Sequence, residues 1–216
     1  MEYKNLNIKY GGHDGFLFVY NGINIYIDPI KLNDFSEKAD LILITHGHHD
    51  HLSVEDVKKI IKPGTNIIGP AEILSQTRQI KDGIDFEIAE PGKVIDFNGI
   101  QIVCVASYNT NKPFHPKDEG YVGYVIDIGD VKIYHSGDSD IIPEMNSLRV
   151  DIAMLPVSGK FTMDFHEAIM AAEIIKPDLA IPMHYGVIIG SVNDAERFVE
   201  GCKEKGINAV VLEKEI

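Results

Sequence analysis

Four histidines, His46, His48, His49 and His51, fall within six residues, with Asp50 among them. Imidazole nitrogens and carboxylate oxygens are the ligands that zinc and similar divalent ions take. The spacing His46-x-His48-x-Asp50-His51 puts four candidate ligands on one turn. One tetrahedral ion rarely uses four such close neighbours, so a pair of ions sharing the turn is the natural arrangement. Two ions about 3.5–4 Å apart can hold a hydroxide and clamp a scissile group. Directly before the turn, residues 41–44 read Leu-Ile-Leu-Ile. That run predicts a strand covered on both faces, a footing that holds ligands still.

Elements must bring further donors to this turn. Asn21-Gly22 between apolar runs 16–20 and 23–28 predicts a hairpin, and Gly129-Asp130 between 121–128 and 131–135 predicts another. Ser53 caps a predicted helix that Pro63-Gly64 ends. A strand at 66–68 precedes a helix at 71–76, and strands are expected at 84–89, 93–97 and 100–106. Residues 107–120 read as a long polar loop. Beyond it come a strand at 151–156, a helix at 164–175, a strand at 179–182, a helix at 192–205 and a last strand at 209–212. The first half is mostly strands and the second alternates strand and helix. No linker divides them, so a single domain over 1–216 with two sheets and outer helices is expected.

Composition narrows the classes. The 216 residues are 44% hydrophobic and 25% charged, as in a globular protein able to bury a core. No apolar run reaches the roughly 18–20 residues of a membrane span, and the polar start lacks a signal-peptide core. Cys104 and Cys202 match no zinc or redox spacing, which favours a reducing cytoplasm. A net charge of −13 argues against non-specific nucleic-acid or anionic-membrane binding.

Taken with that turn, the whole string Thr45-His46-Gly47-His48-His49-Asp50-His51 resembles the T-H-x-H-x-D-H signature of the metallo-β-lactamase superfamily. Ile27-Asp28-Pro29 resembles the family's early Asp-Pro turn, and Gly137-Asp138-Ser139 and Pro182-Met183-His184-Tyr185 resemble its later motifs, all in the family's order. The stretches Gly12-His13-Asp14-Gly15-Phe16, Tyr134-His135-Ser136-Gly137-Asp138 and Ile181-Pro182-Met183-His184-Tyr185 are most similar to small single-domain hydrolases of this superfamily. Those are the ones related to ascorbate-6-phosphate lactonase and the N-acylphosphatidylethanolamine phospholipase D group. The resemblance implies an α/β fold: a four-layer αββα sandwich, with two mixed sheets and outer helices. It implies that His46 and His48 bind a first divalent ion, that Asp50, His51 and His184 bind a second, and that Asp138 bridges them. Asp50 would also orient the nucleophile and accept its proton. The family's remaining ligand is expected at His115, with His135 the rival, although its place beside Asp138 suits a supporting role.

Further readings stay open on the residues themselves. His13 either lines the site or sits on a surface turn. Asp28 either fixes the tautomer of a ligand histidine or merely shapes a turn before Pro29. Lys112 either meets an anionic substrate or belongs to a solvated loop. His49 reads as a solvated spacer.

The expected function is hydrolysis of an ester, lactone or phosphodiester of a small molecule by two divalent ions, zinc ahead of manganese or iron. His48 stands where the diiron oxidoreductases of the family carry a carboxylate, which favours zinc. The alternatives are a mononuclear iron oxygenase of the persulfide dioxygenase type and a ribonuclease or phosphodiesterase acting on nucleic acid. A non-catalytic metal sensor is a third, against which the intact Asp50 speaks. The expected partner is a small-molecule substrate, with no membrane and no nucleic acid; self-association is left open.

Overall fold

Short apolar runs build most of the strands, and Gly, Asn or Asp follows several of them, as after Gly15–Tyr20, Ile23–Ile27 and Val94–Phe97. The computed structural model describes residues 1–33, 36–80 and 84–216. Its chain gathers into two units, Met1–Ala89 with Leu212–Ile216, and Glu90–Val211.

In the first unit, β1 (Glu2–Tyr3), β2 (Leu6–Gly12), β3 (Gly15–Tyr20), β4 (Ile23–Ile27), β5 (Leu41–Leu43), β6 (Asn66–Gly69) and β7 (Asp85–Ile88) form a seven-stranded sheet in chain order. The pairs from β1 to β4 are antiparallel, and those from β4 to β7 are parallel. Asn21 (φ 49°) and Gly22 (φ 80°) are both left-handed, as the tight hairpin turn requires. All of β5 is buried, with a parallel neighbour on each side. Helix α1 (Val54–Ile60) starts where the Asp56 N–H donates to Ser53 Oγ. Its Val57 and Ile60 pack with Leu17, Tyr26, Ile42 and Ile67 of the sheet. The helix expected at 71–76 is split: a 3-10 turn over Ala71–Ile73 leads into a short α2 (Leu74–Thr77).

Asp56 does more than open α1. Its carboxylate accepts from the backbone N–H of Lys31 at 2.8 Å, that of Leu32 at 3.3 Å, and Lys59 Nζ at 2.9 Å. Burial pushes its pKa up, but these bonds and that from Ser53 outweigh it and hold the carboxyl below its ordinary value. The stability it supplies is therefore complete above the unfolded value of about 3.9 and is lost as pH falls through the folded value. Asp56→Ala is expected to cost about 2–3 kcal/mol at neutral pH, with a smaller deficit in acid. Urea unfolding at pH 7 and pH 3 checks this; equal deficits at both would refute the linkage.

In the second unit, β8 (Val94–Phe97), β9 (Ile100–Ala106), β10 (Val122–Asp127), β11 (Lys132–His135), β12 (Ile152–Pro156) and β13 (Leu179–Met183) form a six-stranded sheet ordered β13-β12-β11-β10-β9-β8. The pairs from β8 to β11 are antiparallel, and β11-β12-β13 are parallel. Helices α3 (Phe165–Ile175) and α4 (Val192–Glu204) pack on each other and on β12 and β13. Asp164 and Glu167 close a capping box at the start of α3, which fixes where that helix begins. Gly123 is demanded by close approach, because a Cβ there would lie 2.5 Å from the His135 carbonyl oxygen.

The strand expected at 209–212 does not form. Residues 208 and 210 bond only around Ala180, and the pairing of Lys214 and Glu215 is with Tyr10 of the first sheet. A segment whose bonds divide between two edges, one residue at each, has no ladder. Among the described residues no helix is long and apolar enough to cross a membrane.

Candidate metal centre

Each unit gathers its own set of donors. In the first, the turn from His46 to His51 leaves the end of β5 and runs into α1. Asp28, just past β4, lies beneath it. Its Oδ1 accepts from the Thr45 N–H at 2.8 Å, and its Oδ2 accepts from Thr45 Oγ1 at 2.6 Å and from His51 Nδ1 at 2.8 Å. Thr45 Oγ1 is 3.0 Å from His46 Nδ1. Because the Thr45 hydroxyl gives its proton to Asp28, it can only accept from His46. Asp28 therefore fixes two tautomers, that of His51 directly and that of His46 through Thr45, with the proton on Nδ1 in both.

The Nε2 faces of these rings point at other donors. His46 Nε2 and His48 Nδ1 lie 2.9 Å apart. His51 Nε2 is 3.5 Å from Asp14 Oδ2. His13 Nε2 donates to Asp50 Oδ2 at 3.2 Å. One donor atom from each of His13, Asp50 and His51 lies within 4.8 Å of the others. His13 is fully buried, so the surface-turn reading of it is set aside. The ring of His49 is 86% exposed, as a spacer's would be.

In the second unit, Asp138 sits on the turn after β11, where Gly137 is left-handed (φ 60°). Its Oδ2 lies 3.3 Å from His115 Nε2 and 3.2 Å from His184 Nε2. His115 comes from the long polar loop, yet it is buried. Its Nδ1 donates to Asn109 Oδ1 and to the Phe161 carbonyl, both at 3.2 Å. His184 follows β13, and its Nδ1 is 2.8 Å from Ser158 Oγ. Ser158 Oγ in turn is 3.2 Å from Thr162 Oγ1, which donates to the Met163 carbonyl at 3.3 Å. That relay ends on an oxygen that can only accept, so it also sets the proton on His184 Nδ1. His135 is buried, and its Nδ1 accepts from the Gly137 N–H at 3.2 Å, bracing the Asp138 turn.

The donor set fits divalent ions. Four histidines have Nδ1 engaged by the protein, which leaves the Nε2 lone pair as the coordinating face, beside carboxylates. This is the arrangement that orients metal-ligating histidines and raises their basicity. His13, Asp28 and His184 also hold left-handed backbones, with φ of 57°, 42° and 59°. Glycine would relax there, so each side chain is kept at a conformational cost of about 1–3 kcal/mol.

Lys112 is placed otherwise than a substrate-binding role would have it. Its Nζ is 2.6 Å from Asp140 Oδ1 and 3.4 Å from Glu167 Oε2. Burial lowers its pKa, but hydrogen bonding and charge from Asp140, then Glu167, outweigh this and leave it above the ordinary lysine value. The Thr110 N–H also donates to Asp140 Oδ2, at 2.8 Å. The lysine's charge thus pins the loop that carries His115. Sequence reasoning assigned no role to Asp14, Ser158 or Asp140, and placed Asn109 only among the loop groups that could surround a substrate, not behind His115. Asp14 stood inside a quoted motif, but Ser158 and Asp140 carry no spacing signal, because their partners are distant in sequence.

Parallel strands ending in a donor-rich turn, with histidines locked for coordination, define a metal-dependent enzyme. The family model described as a beta-lactamase superfamily domain matches residues 7–184. A UPF0173 metal-dependent hydrolase of Thermoplasma acidophilum is 34% identical, over 98% of this chain and 97% of its own. The chain belongs to the beta-lactamase superfamily, among its UPF0173 metal-dependent hydrolases. A Parabacteroides distasonis protein, provisionally assigned as a metal-dependent hydrolase, has the same fold at a TM-score of 0.84 and 28% identity, covering 97% of this chain and 94% of its own. A metallo hydrolase of the archaeon Ignicoccus hospitalis shares the fold at a TM-score of 0.78 and 23% identity, covering 98% and 96%. The two mixed sheets with helices are thus those of the metallo-β-lactamase fold.

Proposed function

We propose that this hydrolase uses two divalent ions, zinc in the first instance, to cleave an ester, lactone or phosphodiester bond of a small substrate. On this reading His46, His48 and His115 hold one ion, Asp50, His51 and His184 hold the other, and Asp138 serves both. The family pattern assigns the donors of both units to one centre, and the family match runs through both units, which supports a single working domain over 1–216. The ions supply a water of lowered pKa and a Lewis acid for the scissile group.

The chain's own residues do the rest. Asp50 takes the proton of the attacking water, and the His13 N–H at 3.2 Å keeps its carboxylate turned. Asp28 holds His46 and His51 in the coordinating tautomer. Asn109 and Ser158 do the same for His115 and His184. The observation that carries the proposal is this common locking of Nδ1 on four histidines, which a purely structural core would not need. The two cysteines, both buried, support a cytoplasmic setting.

Reconstitution with zinc followed by elemental analysis is expected to give about two ions per chain, and a panel of phosphodiesters and lactones is expected to contain a substrate. Fewer than one ion per chain, or no turnover across the panel, would overturn the reading.

A further inference from the structure

The loops that carry His115 and the support of His184 also carry an aromatic pair, one ring exposed and one half-buried, and a cation. Phe114, directly before His115, is 41% exposed. Its ring meets that of Phe161 edge to face, with centroids 4.7 Å apart at 88°. Phe161 is the residue whose carbonyl accepts from His115 Nδ1. Lys160 stands over the Phe161 ring, with Nζ 4.9 Å from its centroid.

The tip bearing Lys160 and Phe161 is braced. Ser158 pairs with Asp164 across it, and the Gly159 N–H donates to the Met163 carbonyl at 3.0 Å. Gly159 is left-handed (φ 79°) and a Cβ there would sit 3.0 Å from Asp164 Cβ. Ser158, at the base of the tip, is the residue that holds His184. The backbone that carries Lys160 and Phe161 is therefore tied to the residues behind two candidate ligands, His115 and His184.

Charge decides what such a surface can take. The other two lysines of this region are occupied, Lys112 by Asp140 and Glu167, and Lys117 by Glu144. Among the described residues Lys160 has no carboxylate partner, in a chain of net charge −13. An unneutralised lysine beside a partly exposed ring pair suits a ligand with an oxyanion next to an aromatic group.

We propose that Phe114, Phe161 and Lys160 form the substrate-recognition surface of the hydrolytic site, selecting esters whose non-reacting part carries an aromatic group beside an oxyanion. This rests on the hydrolase reading above. Stacking on the rings holds the aromatic part, and Lys160 Nζ neutralises the anion. Both contacts are made by parts that do not react, so they set which ester is held rather than how its bond breaks.

Calorimetry on the zinc-loaded protein tests this with phenylphosphonate, methylphosphonate and benzyl alcohol. Phenylphosphonate is expected to bind at least about tenfold more tightly than methylphosphonate. Lys160→Met is expected to weaken phenylphosphonate about tenfold and leave benzyl alcohol unchanged. Phe161→Leu, which keeps the backbone carbonyl, is expected to erase most of the advantage of phenylphosphonate over methylphosphonate. Zinc content, measured alongside, is expected to match wild type in both variants. Equal affinity for the two phosphonates, or variants that bind phenylphosphonate as wild type does, would overturn the recognition surface while the hydrolase reading stood on its own panel. The reverse pattern, selective binding without turnover of any ester, would support the surface and count against hydrolysis.

Discussion

Asp50→Asn is expected to lower turnover of any accepted ester by about 10²- to 10⁴-fold, with zinc content and thermal unfolding close to wild type. Asparagine keeps an oxygen at the position and nearly the same volume, so a ligand contact survives in weaker form. What it cannot do is take a proton at neutral pH. The His13 N–H that now bonds a carboxylate oxygen at 3.2 Å would meet an amide oxygen instead, so the side chain stays turned the same way. The loss should fall on the chemical step, seen as a lower kcat at saturating substrate. Metal content must be measured with it, because Asp50 is also a proposed ligand. A variant with full zinc and full turnover would show that Asp50 is not the base. One with no zinc would show instead that its main role is coordination.

Asp28→Ala is expected to weaken binding of both ions together, by about 10- to 100-fold each. The carboxylate serves two histidines assigned to different ions: His51 at 2.8 Å, and His46 through Thr45. Without it neither imidazole has its proton fixed on Nδ1, and each can present N–H where a lone pair is needed. The Thr45 N–H, which bonds Asp28 at 2.8 Å, would also lose its acceptor in a buried place. That adds about 1–3 kcal/mol of destabilisation. Competition with a zinc chelator reads the affinities and urea unfolding of the metal-free protein reads the fold. Ser158→Ala is the control, since among the proposed ligands its hydroxyl bonds only His184, and it should loosen one ion alone. If Asp28→Ala released one ion and kept the other at wild-type affinity, the shared lock would be wrong.

Much of this was legible in the chain. The apolar run before the donor turn, the Asn21-Gly22 hairpin, the Ser53 cap and the Asp164 start of α3 each depend on residues a few positions apart. The family pattern rests on equally local strings. The strand expected at 209–212 failed for the opposite reason. Its apolar run looks like a strand, but whether a ladder forms depends on which edges its neighbours leave open. Lys112 shows the same limit, because nothing near it in sequence announces Asp140 and Glu167.

By itself the sequence determined the donor types, their clustering after a buried strand, and hence the chemistry of a divalent-metal hydrolase. Only the tertiary structure decided which nitrogen each histidine presents. It did so by placing Asp28, Asn109 and Ser158 behind His51, His115 and His184. It also turned a histidine from a polar loop toward Asp138 and left Lys160 without a carboxylate partner among the described residues. The division has a physical cause. Residue type and short spacing fix which atoms can coordinate. Protonation and direction are fixed by hydrogen bonds between residues far apart in sequence, which exist only once the chain has folded.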